Sequence, residues 1–250
     1  MNRIAFITGA SSGIGKETAI IFAKNNIDLV VCGRRKEKLE ELAATLREHI
    51  KVHILCFDVQ DFEETKNSIN SLPEYFKNID ILVNNAGGAH GLCKFINSEI
   101  SDLESTIDSN IKGLLYISKL IMPYMISNNK GHIINMSSIA GKQAYQNGVV
   151  YCASKAAVES ISKSMRLELV PFGIKVTNIA PGAVNTEFSL TRFKGDKKSA
   201  DAVYENYQPL VAEDIAKSIF YCIDLPEHVQ IADMTIFPSA QSAATTIYKS

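Results

Sequence analysis

The chain reads as an α/β protein with a doubly wound parallel sheet and helices on both faces. Three observations predict this. Short apolar runs alternate with helix-length amphipathic patterns along the 250 residues, as βαβ units require. The first run, Ile4-Ala5-Phe6-Ile7, leads through Thr8-Gly9-Ala10-Ser11-Ser12-Gly13-Ile14-Gly15 straight into a helical pattern. No internal repeat, low-complexity tract or linker divides the chain, so residues 1–250 are expected to form one domain.

The elements follow in order. Strands are expected near 3–8, 28–32, 52–58, 80–84, 132–137, 175–179 and 234–237, each a short apolar run suited to burial on both faces. Helices are expected near 14–25, 36–48, 62–71, 103–125, 152–170 and 212–224; the first sets Ile20, Ile21 and Phe22 among Lys16, Glu17 and Lys24. The stretch 183–208 has no clean period and holds only a short helix near 200–207, so it reads as a binding loop or lid.

Composition narrows the function. The net charge is −1, from 26 basic and 27 acidic residues, so no global field recruits nucleic acid or a membrane. The apolar runs fall well short of the ~20 residues a membrane span needs. Met1-Asn2-Arg3 leads directly into a strand, without the charged and apolar regions of a signal peptide. The 5 cysteines are scattered and form no Cys-x-x-Cys pair; Cys32 and Cys56 lie in apolar runs, which suits reduced, buried thiols of a cytoplasmic protein. No His/Cys/Asp spacing suggests a metal site.

Two constellations carry chemistry. In the glycine turn, Gly9, Gly13 and Gly15 let the backbone turn tightly and bring a pyrophosphate against the amides at a helix N-terminus, with Ser11, Ser12 and Ile14 between them. The spacing is Gly-x-x-x-Gly-x-Gly, a departure from Gly-x-Gly-x-x-Gly. In the second, Tyr151 and Lys155 are four residues apart and share one helix face, while Ser138 ends the strand run upstream. Tyrosine's ordinary pKa of about 10 makes it a poor base at neutral pH, and a nearby cation favours its phenolate. A second hydroxyl can then hold the oxygen whose proton moves.

These residues resemble the short-chain dehydrogenase/reductase family, and the resemblance extends over nearly the whole chain. Thr8-Gly9-x3-Gly13-Ile14-Gly15 is similar to that family's cofactor turn. Asn84-Asn85-Ala86-Gly87 is similar to its motif after the fourth strand, and Pro181-Gly182 to the motif beside the nicotinamide. Asn110, Ser138, Tyr151 and Lys155 match its catalytic tetrad. The resemblance implies a Rossmann fold with sheet order 3-2-1-4-5-6-7 and a hydride transferred between a nicotinamide and an alcohol carbon. Tyr151 would move the proton, Lys155 would lower the tyrosine pKa and hold the ribose, Ser138 would bind the reacting oxygen, and Asn110 would hold a relay water near a kink at Gly113. Val184 and Thr186 would complete the cofactor contacts.

The end of the second strand reads Val30-Val31-Cys32-Gly33-Arg34-Arg35, with no carboxylate before Glu37. NAD selection places an acid there; two guanidiniums suit a phosphate instead, so NADP is the expected cofactor. The alternative, that Arg34 and Arg35 merely open a charged helix, leaves the missing acid unexplained. Asp58-Val59 resemble the adenine-contacting pair, although Asp58 would also serve as a helix N-cap.

Within the family, Leu72-Pro73, Thr186-Glu187-Phe188-Ser189, Arg192-Phe193-Lys194-Gly195-Asp196 and Leu225-Pro226-Glu227-His228-Val229 resemble the NADP-dependent 3-hydroxy acid dehydrogenases. That resemblance implies serine, allo-threonine or 3-hydroxypropionate oxidation, with malonic semialdehyde reduction as a reverse reaction. Arg192 and Lys194 are candidates for a substrate carboxylate, the alternative being surface loop charges, and Gln143 borders the expected pocket. Ala183-Val184-Asn185 after Pro-Gly departs from the glycines found in relatives and bears on acid preference. A broader carbonyl reductase and a non-catalytic NADP-binding regulator remain as alternatives; the intact tetrad weighs against the latter. Leu114, Leu115, Ile117, Leu120 and Ile121 make the long helix before the fifth strand apolar on more than one face, and with the resemblance imply a homotetramer, a dimer of dimers.

Overall fold

The strand β1 (Ile4–Thr8) is buried at every residue, and so are β2 (Asp28–Gly33), β4 (Ile81–Asn84) and β5 (Gly131–Met136). Alternate residues point to opposite faces, so two separate cores are needed to bury such strands. In this computed structural model, which describes residues 2–249, both are present. Ala5, Ile7, Leu29, Val31, Val83 and Ile134 pack on one side against α1 (Gly13–Lys24), α2 (Lys36–Leu46) and α10 (Ala212–Ile223). Phe6, Val30, Leu82, Ile133 and Val176 pack on the other against α3 (Phe62–Asn70), α5 (Gly113–Ser127) and α7 (Val149–Leu169). Phe6 and Phe22 are wholly enclosed; truncating such a side chain to alanine costs about 3–5 kcal/mol.

With β3 (Val52–Cys56), β6 (Ile174–Pro181) and β9 (Asp233–Ile236), the sheet has order β3-β2-β1-β4-β5-β6-β9, all parallel. This is the expected doubly wound order; the seventh strand is β9 because the short pair β7 (Val184–Asn185) and β8 (Leu210–Val211) intervenes. The order reverses between β1 and β4, and a crevice opens there at the carboxyl ends of the strands.

Several boundaries differ from expectation, each for a local reason. The single helix expected at 103–125 is α4 (Ile100–Ile107), a π turn (Asp108–Lys112) and α5. The kink placed near Gly113 is therefore a widened turn centred on Asn110, the kind of irregularity that recurs at functional sites. The helix expected at 152–170 begins at Val149, which puts Tyr151 in its first turn. The short helix expected at 200–207 is α9 (Lys197–Ala202), because Asp196 caps it by accepting from Ser199 N at 3.3 Å and Asn206 turns left-handed (φ 63°). It follows α8 (Glu187–Arg192). Cys56 is exposed at the end of β3, contrary to the buried thiol expected. No helix among the described residues is long and apolar enough to cross a membrane.

His132 on β5 is buried, its Nε2 lying 2.8 Å from Thr177 Oγ1 and its Nδ1 without a partner. Burial, with Lys175 and Arg3 adding to it, brings its pKa down to about 3. Below about pH 6.5 the unfolded chain protonates this imidazole while the folded chain does not, so stability falls as pH drops toward 3. Urea unfolding should find His132 costing the wild type about 2–3 kcal/mol between pH 7 and 4.5, and His132→Gln should lose correspondingly less over that interval. Equal pH slopes for the two proteins would show that His132 is not the titrating group.

Candidate active site

Thr8 ends β1 at the reversal point, and its hydroxyl is fully used. It accepts from Asn85 N (2.9 Å) and Ala86 N (2.8 Å) and donates to Val83 O (3.2 Å). Asn85 Nδ2 in turn donates to Thr8 O at 2.9 Å and Gly9 O at 3.3 Å. The loop after β4 thus holds the glycine turn directly. Gly9 (φ 66°) and Gly13 (φ 52°) adopt backbone that L residues rarely take. Gly15 is needed for close approach, since a Cβ there would lie 2.4 Å from Gly9 O.

The cleft encloses about 680 Å³ and is lined by Gly9, Ser11, Ser12, Gly13, Ile14, Arg34, Arg35, Asp58, Val59 and Asn85–Gly87 at one end. Pro181, Gly182, Val184 and Thr186 line its middle, and Ser138, Tyr151, Lys155 and Arg192 its far end. Arg34 pairs with Asp58 at 3.4 Å. Arg35 donates to Ser11 Oγ (3.2 and 3.0 Å) and Ser12 Oγ (2.6 Å) and pairs with Glu187 at 2.7 Å. Asp58 is not the helix cap; Asp61 caps α3 by accepting from Glu64 N at 2.9 Å. Val59 packs on Gly113, where a Cβ would come within 2.7 Å of it.

Ser138 is the N-cap of α6 (Ile139–Lys142), accepting from Ala140 N at 3.2 Å and donating to Pro181 O at 3.4 Å. Tyr151 and Lys155 share a buried face of α7, and Lys155 Nζ donates to Met136 O at 2.9 Å. Asn110 Oδ1 accepts from Gly88 N (2.8 Å), and its Nδ2 donates to Gly88 O (2.8 Å) and Ser154 Oγ (2.9 Å). The four tetrad residues therefore converge, with Asn110 bracing the Gly87–Gly88 turn against α7. Burial dominates the electrostatics. It raises the Tyr151 pKa above the usual phenol value, while Tyr145 adds to the rise and Ser138 and Arg192 oppose it. It brings Lys155 down to about 8. Burial therefore outweighs the lowering expected of a nearby cation, with Lys155 Nζ 5.8 Å from the Tyr151 ring centre.

Arg192 comes from the C-terminal end of α8. Its guanidinium carbon lies 5.5 Å from the Tyr145 ring centre and 5.6 Å from that of Tyr151. Its Nε and Nη2 are buried without a hydrogen-bond partner. Lys194, the other candidate cation, is held by Asp102 at 2.7 Å and does not line the cleft. Gln143 is exposed and also lies outside the lining. The chain turns extended at this residue, and its Oε1 accepts from Ala244 N at 2.8 Å. Tyr145 and Phe188 wall the cleft instead; the Phe188 ring is 5.5 Å from Tyr151. Tyr145 reads as an ordinary aromatic in the sequence, whereas Phe188 lies in the Thr186-Glu187-Phe188-Ser189 stretch that carries the resemblance. Ser154, which accepts from Asn110, adjoins Lys155 in the sequence.

Residues 3–197 match the short chain dehydrogenase family. The chain belongs to that family. It is 42% identical over 246 residues to an NADP-dependent 3-hydroxy acid dehydrogenase of Schizosaccharomyces pombe, covering 97% of this chain and 95% of the relative. It is 40% identical over 243 residues to sulfoacetaldehyde reductase 2 of Chromohalobacter salexigens, covering 97% and 96%. Among solved structures, the closed form of a serine dehydrogenase complexed with NADP+ superposes with a TM-score of 0.93 at 38% identity, covering 99% of each chain.

As a short-chain dehydrogenase the protein depends on its glycine turn. Gly15→Ala drives a methyl into Gly9 O and Asn85 Nδ2, so thermal or urea unfolding should register a loss of about 1–3 kcal/mol. Wild-type stability in this variant would mean that the turn yields without cost.

Proposed function

We propose that the chain is an NADP-dependent oxidoreductase interconverting the hydroxyl and carbonyl of a short acid, of the 3-hydroxy acid class that includes serine, allo-threonine, 3-hydroxypropionate and malonic semialdehyde. The observation carrying this reading is Arg192, a permanent cation with two buried, unpartnered N–H groups beside Tyr151. Leaving such donors unmet is costly, and a carboxylate meets them in the forked geometry a guanidinium favours. The relatives named for 3-hydroxy acids and for sulfoacetaldehyde share one trait. Each substrate carries its anionic group one carbon away from the reacting carbon.

The cleft residues fit NADP. Gly9 and Gly13 give the open turn a pyrophosphate needs, and Arg34 and Arg35 stand where an NAD-selecting acid would be. When bound, the nicotinamide supplies or accepts the hydride. The protein handles the substrate and its proton. Arg192 holds the acid group and Ser138 donates to the reacting oxygen. Tyr151 gives that oxygen a proton in reduction and removes one in oxidation. Lys155 holds the nicotinamide ribose, and Asn110 positions the Gly87–Gly88 turn around it. Because burial keeps Tyr151 protonated at neutral pH, the free protein is poised as an acid; oxidation requires loss of that proton, so its rate rises with pH.

The chain is further read as a homotetramer. Leu115 is exposed on α5, with Phe62 and Ile107 exposed nearby in the fold, and Leu167, Val170 and Phe172 are exposed around the end of α7. Light scattering on purified protein tests this; a monomer would refute it.

Tyr151→Phe should lower kcat by about 10²–10⁴, the usual worth of a positioned proton donor. Arg192→Ala should raise KM for L-serine or 3-hydroxypropionate by about 10–100-fold, as loss of a charge-assisted hydrogen bond predicts. Turnover of n-propanol should change little. Initial rates with NADP and NAD decide the matter. Equal effects of Arg192→Ala on the acids and on n-propanol, or turnover of the neutral alcohol alone, would exclude an acid-binding role and leave a general carbonyl reductase.

A further inference from the structure

Glu187 opens α8 and lines the cleft, and its two carboxylate oxygens grip two cations, Arg35, which also lines the cleft, and Lys38 on α2. Oε2 lies 2.7 Å from Arg35 Nη1, and Oε1 lies 2.9 Å from Lys38 Nζ. Arg35 also holds the hydroxyls of Ser11 and Ser12 in the glycine turn. A carboxylate with each oxygen on a separate cation presents the charge and spacing of two oxygens of a phosphate. Lys38, Arg35 and the Ser12 hydroxyl hold Glu187 ionised, with a pKa down at about 2.

The same six-residue helix carries Arg192 at its other end, beside Tyr151. Thr186, which caps the helix by accepting from Phe188 N at 3.2 Å, sits against Gly13 of the glycine turn. The phosphate cations and the substrate-side cation are therefore joined through one short rigid element.

We infer that Glu187 is a specificity-determining latch: it occupies Arg35 and Lys38 until the 2′-phosphate of NADP displaces it. This rests on the reading of Arg35 as a 2′-phosphate ligand, and it adds Lys38 as a second. A dianion outcompetes a single carboxylate for two cations; a ribose hydroxyl does not. NAD therefore leaves the latch shut, and the discrimination falls on cofactor affinity.

The test compares 2′,5′-ADP with 5′-AMP, which differ only in the 2′-phosphate, by calorimetry on the wild type and Glu187→Gln. The wild type should bind 2′,5′-ADP more tightly than 5′-AMP. Removing the rival carboxylate should tighten 2′,5′-ADP about two- to tenfold, the worth of two half-exposed ion pairs, and leave 5′-AMP unchanged. Unchanged or weaker 2′,5′-ADP binding by Glu187→Gln would overturn the latch and make Glu187 a brace for Arg35. Equal binding of the two nucleotides by the wild type would instead overturn the 2′-phosphate reading itself.

Discussion

The Thr8 hydroxyl is the contact on which the site depends. It lies where the sheet order reverses, and all its hydrogen-bonding capacity joins β1 to the chain leaving β4. With Asn85 Nδ2 on Thr8 O and Gly9 O, it sets the glycine turn at a fixed distance from Ala86–Gly87. Those residues border Asn110 and Lys155: a Cβ at Gly87 would lie 2.5 Å from Asn110 Oδ1 and 3.8 Å from Lys155 Nζ. The cofactor end and the proton-handling end are therefore tied through one buried polar knot. Partly unsatisfied, such a knot would be costly; here the hydroxyl that centres it is fully bonded.

A second polar chain runs beneath it. Asn84 Nδ2 donates to Ser118 Oγ and Asn135 Oδ1, both at 2.9 Å, and Asn135 Nδ2 donates to Ser162 Oγ at 2.9 Å. This links α5, β4, β5 and α7 through the interior of an otherwise apolar layer. Apolar packing alone is non-directional and leaves a helix some freedom to slide over a sheet. Hydrogen bonds across the layer remove that freedom for α7, and so fix the height of Tyr151 and Lys155 above the strand ends.

Most of this was legible in the chain because it is local or periodic. Val30 and Val31 face opposite cores, and that alternation is written in a continuous apolar run. Tyr151 and Lys155 share a helix face by spacing alone. The features that escaped depend on contacts far apart in sequence. Glu187 meets Arg35 across 152 positions, and Gln143 accepts from Ala244 of the cleft wall, 101 positions on. Arg192, the better candidate by its forked geometry, and Lys194 are both loop cations in the sequence, and only the structure shows Asp102 holding the latter. The π turn at Asn110 has the composition of an ordinary helix, and only its fit against Gly88 and Ser154 reveals why the extra residue is there.

The electrostatics of the pair on α7 follow from burial rather than proximity. An ammonium beside a phenol is expected to favour the phenolate, yet both groups lie in a site where either charge is poorly solvated. Burial accordingly raises the tyrosine and brings the lysine down to about 8. At pH 7 a lysine with a pKa of about 8 is still largely protonated, and it gives up that charge as pH rises through 8. A guanidinium keeps its proton throughout the working range, and Arg192, 5.6 Å from the tyrosine ring, acts to lower the phenol pKa. One cation then bears on both sides of the proposed chemistry. While no acid group sits on Arg192 it eases phenolate formation, and an acid substrate as proposed, by neutralising it, would make the phenol the favoured form. A tyrosine kept as the phenol beside a bound acid is set to donate its proton to a carbonyl oxygen, the step that reduction needs.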